Sequence, residues 1–300
     1  MLTLNTVGIL GHPKRPSTEH VGNRIEQTLQ QHGIETWHYE VWIPDDVRQD
    51  ISQSDMVIAI GGDGAMLRAA RLCAEFEVPV LGINMGRLGF LTEVADPDDW
   101  EACLGRLLSD NYWIESHMMI TAIVERDNIR IHQEDALNDV VISGLSAGSM
   151  VQMDLYIDQH WATTYNSDSL IVSTPTGSTA YALAAGGPIL PPDLKNLLIV
   201  PTAAHLSMDR PIVLSEGSQV AVRLSTENRN DTIITVDGTQ LAQMVDDDIL
   251  YIQASEHVSR FIRMRERNYF YRSLLDRLEP RVNRSLPTIK TLKSLRKSDE

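Results

Sequence analysis

Cysteine is almost absent: Cys73 and Cys103 are the two in 300 residues. That excludes a disulfide framework and a cysteine-built metal site, and it suits buried thiols in a reducing cytoplasm. Basic charge is short as well, with 26 Lys and Arg against 41 Asp and Glu and a net charge of −15. This balance argues against a general binder of nucleic acid or of anionic membranes. An anionic ligand would have to be met by local donors or a bound cation. Long apolar runs are missing: no segment reaches the length of a membrane span. The short apolar start has no basic stretch ahead of it, so a secretory signal is not expected. No G-x-x-x-x-G-K-[ST] occurs, which excludes a P-loop. Gly62-Asp63-Gly64-Ala65-Met66-Leu67 has Leu where a dinucleotide fingerprint needs its third glycine, which disfavours hydride chemistry. None of the nine histidines has zinc-binding spacing.

What is present centres on Ile60-Gly61-Gly62-Asp63-Gly64. The apolar run over residues 56–60 reads as a buried parallel strand, and the run after Gly64 reads as a helix. Three glycines at such a junction leave no side-chain bulk over the backbone. A phosphate could sit against the main-chain N–H groups and the positive end of the helix dipole. A carboxylate placed there repels phosphate unless it holds a metal or accepts a proton from an attacking hydroxyl. The alternative is a tight turn with a capping Asp.

Length favours two domains, at about 100–200 residues each. Up to about residue 112 strands and helices alternate, with strands near 6–10, 35–42, 56–60 and 78–83. The helices fall near 17–31, from 65 to about 76, and from 96 onward, where Pro97 occupies a favoured first position. This is the pattern of an open parallel sheet with helices on both faces, which binds ligands beyond the carboxyl ends of its strands. Afterwards come short strand-like runs, 118–125, 139–143, 151–157, 198–201, 219–224, 232–236 and 249–252, with one helical stretch near 179–185. They read as an antiparallel sandwich. Residues 261–264 read as one more strand and 268–278 as a helix returning to the first domain. From Arg281 the chain turns basic and polar, a solvated tail. The expected division is 1–115, 116–258, 259–280 and 281–300.

Three further stretches carry chemistry. Asp168-Ser169 and Thr174-Pro175-Thr176-Gly177-Ser178-Thr179-Ala180-Tyr181 gather hydroxyls and glycine at a helix start, suited to a polyhydroxylated, phosphorylated ligand. Tyr181 offers a ring for a flat base. The other reading is a Ser/Thr-rich turn capping a helix. Asn138-Asp139 can accept from adjacent ribose hydroxyls, or form an Asx turn. Asp237-Gly238 reads as a hairpin turn.

Together these stretches resemble the NAD kinase family, from about Val7 to about Leu278. The resemblance rests on Gly61-Gly62-Asp63-Gly64, the run from Gly82 to Thr92, Leu137-Asn138-Asp139, the Thr174 to Tyr181 run and Val236-Asp237-Gly238. It implies a Rossmann-like half and a β-sandwich half in a homodimer or homotetramer whose subunits share binding surfaces. It implies transfer of the terminal phosphate of ATP to the 2′-hydroxyl of NAD's adenosine ribose, giving NADP. Inorganic polyphosphate is the other donor left open. By the same resemblance Asp63 is the proton acceptor, and Gly61, Gly62 and Gly64 are the phosphate cradle. Asn138, Asp139, Asp168, Thr179, Ala180 and Tyr181 hold NAD. Mg²⁺ would arrive on the nucleotide rather than in a protein-built cage. The chain departs from the family in Asp139 for the usual Glu, in Ser169 for a glycine, and in Thr239 between Gly238 and Gln240. Two other readings share the glycine junction: a lipid or sugar kinase, and a non-catalytic nucleotide-binding regulator.

Overall fold

The computed structural model describes residues 4–12, 17–40, 44–86, 89–146, 148–267, 269–271 and 274. Its first half runs β1 (Thr6–Leu10), α1 (Ser17–Gln31), β2 (Glu35–Tyr39), α2 (Pro44–Ser52), β3 (Met56–Gly61), α3 (Asp63–Ala74) and β4 (Val80–Asn84). After a 3₁₀ turn over Pro97–Asp99 comes α4 (Trp100–Leu108). Strands β3 and β4 are buried at every position. That is why they read as continuous apolar runs: helices cover both faces of a parallel sheet. Ile58 and Ile60 pack on Ile25 and Leu29 of α1 and on Trp100 of α4. Val57 and Ala59 face the other way, onto Met66, Ala69 and Ala70 of α3. Asp96 starts the 3₁₀ turn by accepting the Asp98 N–H at 3.0 Å.

The second half is mostly antiparallel. It runs β5 (Trp113–Arg126), β6 (Ile129–Ala136), β7 (Asp139–Gly144), β8 (Val151–Ile157), β9 (His160–Ser167) and β10 (Ser169–Ser173). A 3₁₀ turn over Thr176–Thr179 leads into α5 (Tyr181–Ala184). Then come β11 (Asn196–Thr202), β12 (Ile212–Ser215), β13 (Val220–Leu224), β14 (Thr232–Val236), β15 (Thr239–Met244) and β16 (Ile249–Arg263). Six of these make one sheet in the order β12-β11-β10-β7-β14-β15. The others extend the parallel sheet as β2-β1-β3-β4-β16-β13-β8-β9, with β5 paired to β16 and β6. Between the two sheets lies an apolar core that includes Ile120, Ile142, Leu155, Leu170, Val222 and Leu250. This is the expected pairing of a doubly wound half with a sandwich half.

One continuous sheet therefore serves both halves. Its joining element is β16, which pairs with β13 at its start, with β5 from Ile249 to Arg263, and lies parallel to β4 through Phe261 and Val80. Residues 115 and 258, where the sequence suggests divisions, lie inside β5 and β16. The sequence pattern separates 249–252 from 261–264, but the structure joins them. A register shift between Ala254 and Val258 carries the polar residues Ser255 and His257, which bond to Asp135 and break the apolar alternation. Strand β6 escapes sequence reading because its first six residues are all exposed and its apolar alternation stops after Ile129 and Ile131. The described residues from Arg265 onward belong to a second unit, in which the Arg265 guanidinium lies 5.4 Å from the Tyr269 ring centroid. Most of the expected 268–278 helix and all of the basic segment from Arg281 lie outside the described residues.

Candidate active site

At the carboxyl end of β3 the chain turns straight into α3. Gly62 caps the helix in extended conformation, with no side chain bonded across the cap. A Cβ on Gly61 would come within 2.7 Å of the Ala65 Cβ, so residue 61 must be bare. Above Gly62 and Gly64 a Cβ would meet nothing within 4 Å. The first-turn N–H groups of a helix have no intrahelical partner. Here the Ala65 N–H turns back to Gly62 O at 3.0 Å, and the space above Gly62 and Gly64, at the positive end of the dipole, is where an anion can approach.

Asp63 opens the helix, and its carboxylate is already engaged. Oδ2 accepts the Phe90 N–H at 2.7 Å and Oδ1 the Leu91 N–H at 2.9 Å. Gly89 permits this closeness, since a Cβ there would stand 1.9 Å from Asp63 Oδ1. The glycine-rich run after β4 thus closes over the glycine junction and orients its acid. Each carboxylate oxygen keeps a second lone pair for another donor.

Beside Gly64 lies a cleft of about 730 Å³ that includes Arg48, Arg68 and Arg71 in its wall. These guanidiniums are local cationic donors in an acidic chain. Sequence reasoning missed them, although a signal existed: Gly64, Arg68 and Arg71 follow the i, i+4, i+7 spacing of one helix face. Arg71 pairs with Glu134, and its Nε lies 3.5 Å from Asp237 Oδ2.

Asp237 is the second acid that the sequence reading left out of the site. It occupies the expected hairpin turn, with φ of +48° at Asp237 and +78° at Gly238. Its buried carboxylate accepts three backbone N–H groups, from Leu137 at 2.9 Å, Asn138 at 2.8 Å and Asp139 at 3.1 Å. Asp139 is 6 % exposed. Burial, and then the charge of Asp237, push its carboxyl up to about 7. Asp237 is itself raised, burial outweighing Arg71 and the three N–H bonds.

Asn138 and Asp139 open on a cavity of about 390 Å³ whose lining also includes Ala180 and Tyr181. Leu67 and Asp237 line both this cavity and the cleft beside Gly64, so the two adjoin. Tyr181 is 48 % exposed, with ring surface free for a ligand. The hydroxyls ahead of it mostly face their own chain. Thr174 Oγ1 donates to Leu137 O at 2.5 Å, Ser178 Oγ to Pro175 O at 2.6 Å and Thr179 Oγ1 to Thr176 O at 3.1 Å. A Cβ on Gly177 would lie 2.1 Å from Asn138 O. This turn therefore moulds the Asn138 loop, and Ala180 and Tyr181 are the residues that reach the cavity. Asp168 is exposed beyond the far end of β10, whose Ser173 pairs with Asp139. Five residues of strand, roughly 17 Å, separate Asp168 from Ser173. Within one chain it does not join Asn138 and Asp139.

A bare helix N-terminus at the carboxyl edge of a parallel sheet, adjoining a cavity walled by an amide, carboxylates and an aromatic ring, defines a nucleotide-phosphate site. Comparison narrows this class. Residues 7–112 match the ATP-NAD kinase N-terminal domain and residues 137–264 the ATP-NAD kinase C-terminal domain. The NAD kinase of Geobacter metallireducens is 41 % identical over 220 residues, covering 72 % of this chain and 76 % of that one. That of Chloroflexus aggregans is 35 % identical over 275 residues, covering 92 % and 99 %. The chain belongs to the NAD kinase family. Its fold is similar to yeast NADH kinase complexed with NADH, with TM-score 0.79 and 21 % identity over 92 % of this chain and 87 % of that one. It is also similar to an NAD kinase from Archaeoglobus fulgidus in complex with ATP, with TM-score 0.72 and 24 % identity over 90 % and 97 %.

Proposed function

We propose that this chain transfers the terminal phosphate of ATP to the 2′-hydroxyl of NAD's adenosine ribose, giving NADP. The observation that carries the reading is the junction of the two cavities at Leu67 and Asp237. On this reading the cleft beside Gly64 takes the phosphates and the adjoining pocket takes the ribose and the base. Asn138 and Asp139 take the ribose hydroxyls, and Ala180 with Tyr181 line the same pocket. Phosphoryl transfer runs through a loose transition state, so most of the rate comes from alignment and charge neutralisation. The α3 N-terminus, Arg68 and Arg71 supply donors for the charge. Asp63, held by the Phe90 and Leu91 N–H groups, accepts the proton of the attacking hydroxyl.

Phosphates of this charge travel with Mg²⁺, which would supply charge neutralisation when bound. The donor set fits a cation that comes with the nucleotide. Asp63 and Asp237 are engaged by backbone N–H groups. Asp63 can still give a lone pair to a hydrated ion. Asp168 acts, on this reading, at a site of a neighbouring copy in a homodimer or homotetramer. Sedimentation of the wild type and kinetics of Asp168→Ala test that part. The cytoplasm, reducing and rich in ATP and NAD, is the compartment we assign.

The direct test incubates the protein with Mg·ATP and NAD and offers the product to an NADP-specific dehydrogenase. Mass spectrometry should place one added phosphoryl group on the adenosine ribose. Transfer to diacylglycerol or fructose 6-phosphate at a comparable rate would sink the assignment.

A further inference from the structure

Below the site lies a buried polar group that the phosphoryl-transfer scheme does not use. Arg263, at the end of β16, is fully buried, and Glu115 and His117 of β5 are 7 % and 2 % exposed. Arg263 Nε donates to Glu115 Oε2 at 2.6 Å, and the same oxygen lies 3.0 Å from His117 Nε2. His117 Nδ1 is 2.9 Å from the hydroxyl of Thr176, in the turn that leads to Ala180 and Tyr181. At the other end Arg263 Nη1 donates to Leu91 O at 2.8 Å. The N–H of that same Leu91 binds Asp63. Thr179 closes the string by donating to Thr176 O at 3.1 Å.

Hydrogen bonds make the links at both ends of the string, and a 3.0 Å contact between His117 and Glu115 joins them in the middle. Burial pushes the His117 imidazole towards its neutral form, against the pull of Glu115. A neutral ring can accept at Nδ1 from the Thr176 hydroxyl, while Nε2 faces the Glu115 carboxylate at 3.0 Å as a close polar contact without hydrogen-bond geometry. Burial alone would raise Glu115, but His117 and Arg263 hold its carboxyl down to about 2. The ring of Phe261 packs against both side chains, its centroid 4.7 Å from that of the His117 ring and 5.1 Å from the Arg263 guanidinium. The two Arg263 bonds are charge-assisted, and in a dry interior such bonds resist displacement because their members are costly to leave unpaired.

We infer that Thr176, His117, Glu115 and Arg263 are positioning residues that set the acceptor-binding turn in register with the loop clamping Asp63. The two ends belong to different parts of the fold, one beyond β10 and one beyond β4. The reacting oxygen and phosphate need sub-ångström alignment, and a displacement of about 1 Å costs on the order of 10²-fold in rate. The string is the link that fixes one end against the other. Its kinetic half rests on the kinase reading above.

Thr176→Val keeps the shape of the side chain and removes the hydroxyl, whereas Thr176→Ser keeps the hydroxyl. In Thr176→Val, kcat/KM for NAD should fall about 10- to 100-fold with the ATP KM within about twofold. Thr176→Ser should recover most of that loss, and His117→Gln should lose as much as Thr176→Val without the two adding. An independent readout is amide exchange at Phe90 and Leu91, which should quicken at least about threefold in Thr176→Val. Tyr165→Phe, the loss of a buried hydroxyl in the sandwich core, should leave both amides unchanged. Unchanged exchange in a folded Thr176→Val protein overturns the proposal. Faster exchange with an unmoved NAD kcat/KM overturns it too, since the string would then only support packing. A wild type that converts no NAD removes the kinase reading instead, and exchange alone then decides whether the two ends are linked.

Discussion

Asp139→Asn should make the ligand-free protein more stable while impairing its function. The carboxyl of Asp139 is buried beside Asp237, and its proton is held up to a pH of about 7. In the unfolded chain the same group ionises near 3.8. Between those values the folded state binds the proton and the unfolded state does not, so stability falls as pH rises. Above about 7 both states are ionised and the penalty is constant. The shift of about three pK units sets that penalty at no more than about 4 kcal/mol. Asparagine has nearly the same volume and no charge, and its amide can donate towards the Asp237 carboxylate. With half of the penalty recovered, about 2 kcal/mol, the Tm at pH 8 should rise by roughly 4–8 °C. The gain of variant over wild type should grow with pH between about 5 and 7 and then level off. Scanning calorimetry of both proteins at four pH values measures this, and calorimetric titration should show weaker NAD binding by Asp139→Asn. A variant less stable than wild type at pH 8, or a gain independent of pH, refutes the claim that this carboxylate is held at a cost.

The remaining predictions concern its neighbours. Asp63→Asn should lower kcat and kcat/KM together, by about 10²–10⁴-fold, with NAD still bound in calorimetry. Gly89→Ala drives a Cβ into the space of Asp63 Oδ1, so kcat should drop at least about tenfold with little change in Tm. Asp237→Ala strips the acceptor from three N–H groups and should cost roughly 2–4 kcal/mol in urea denaturation while raising the NAD KM. Affinity for NAD should weaken as pH falls through about 7, where Asp139 gains its proton, and that dependence should disappear in Asp139→Asn.

The architecture was legible because its signals are local. Buried parallel strands show as unbroken apolar runs, and Ser17–Gln31 shows its buried stripe at Thr18, Val21, Gly22, Ile25 and Leu29. Strand β6 was not legible, because an exposed strand whose apolar alternation ends at Ile131 has too little period to display. The glycine junction was legible for the same local reason, since bare backbone before a helix can be read residue by residue. Arg68 and Arg71 could have been found by helical spacing from Gly64.

The acids were the hard part, because composition gives a carboxylate's presence and not its partner. A carboxylate among phosphate donors suggested two roles, metal ligand or proton acceptor, and the fold adds a third. Asp63 anchors Phe90 and Leu91, and Asp237 anchors the three residues from Leu137 to Asp139, across 28 and about 100 positions of sequence respectively. No local pattern encodes bonds at that range; sheet pairing has to bring the partners together first. The same holds for the hydroxyl of Thr174, which reaches Leu137 O, whereas those of Ser178 and Thr179 bond to carbonyls three residues back in their own turn. The consequence for mutagenesis is specific. A loss of activity at Asp63 or Asp237 mixes two effects, removal of a charge near the phosphates and release of a backbone loop. Asp63→Asn can keep one of its two N–H bonds, whereas Asp63→Ala keeps none. If the two variants lose the same fraction of kcat, charge is the dominant contribution; if alanine loses much more, the clamp on Phe90 and Leu91 is.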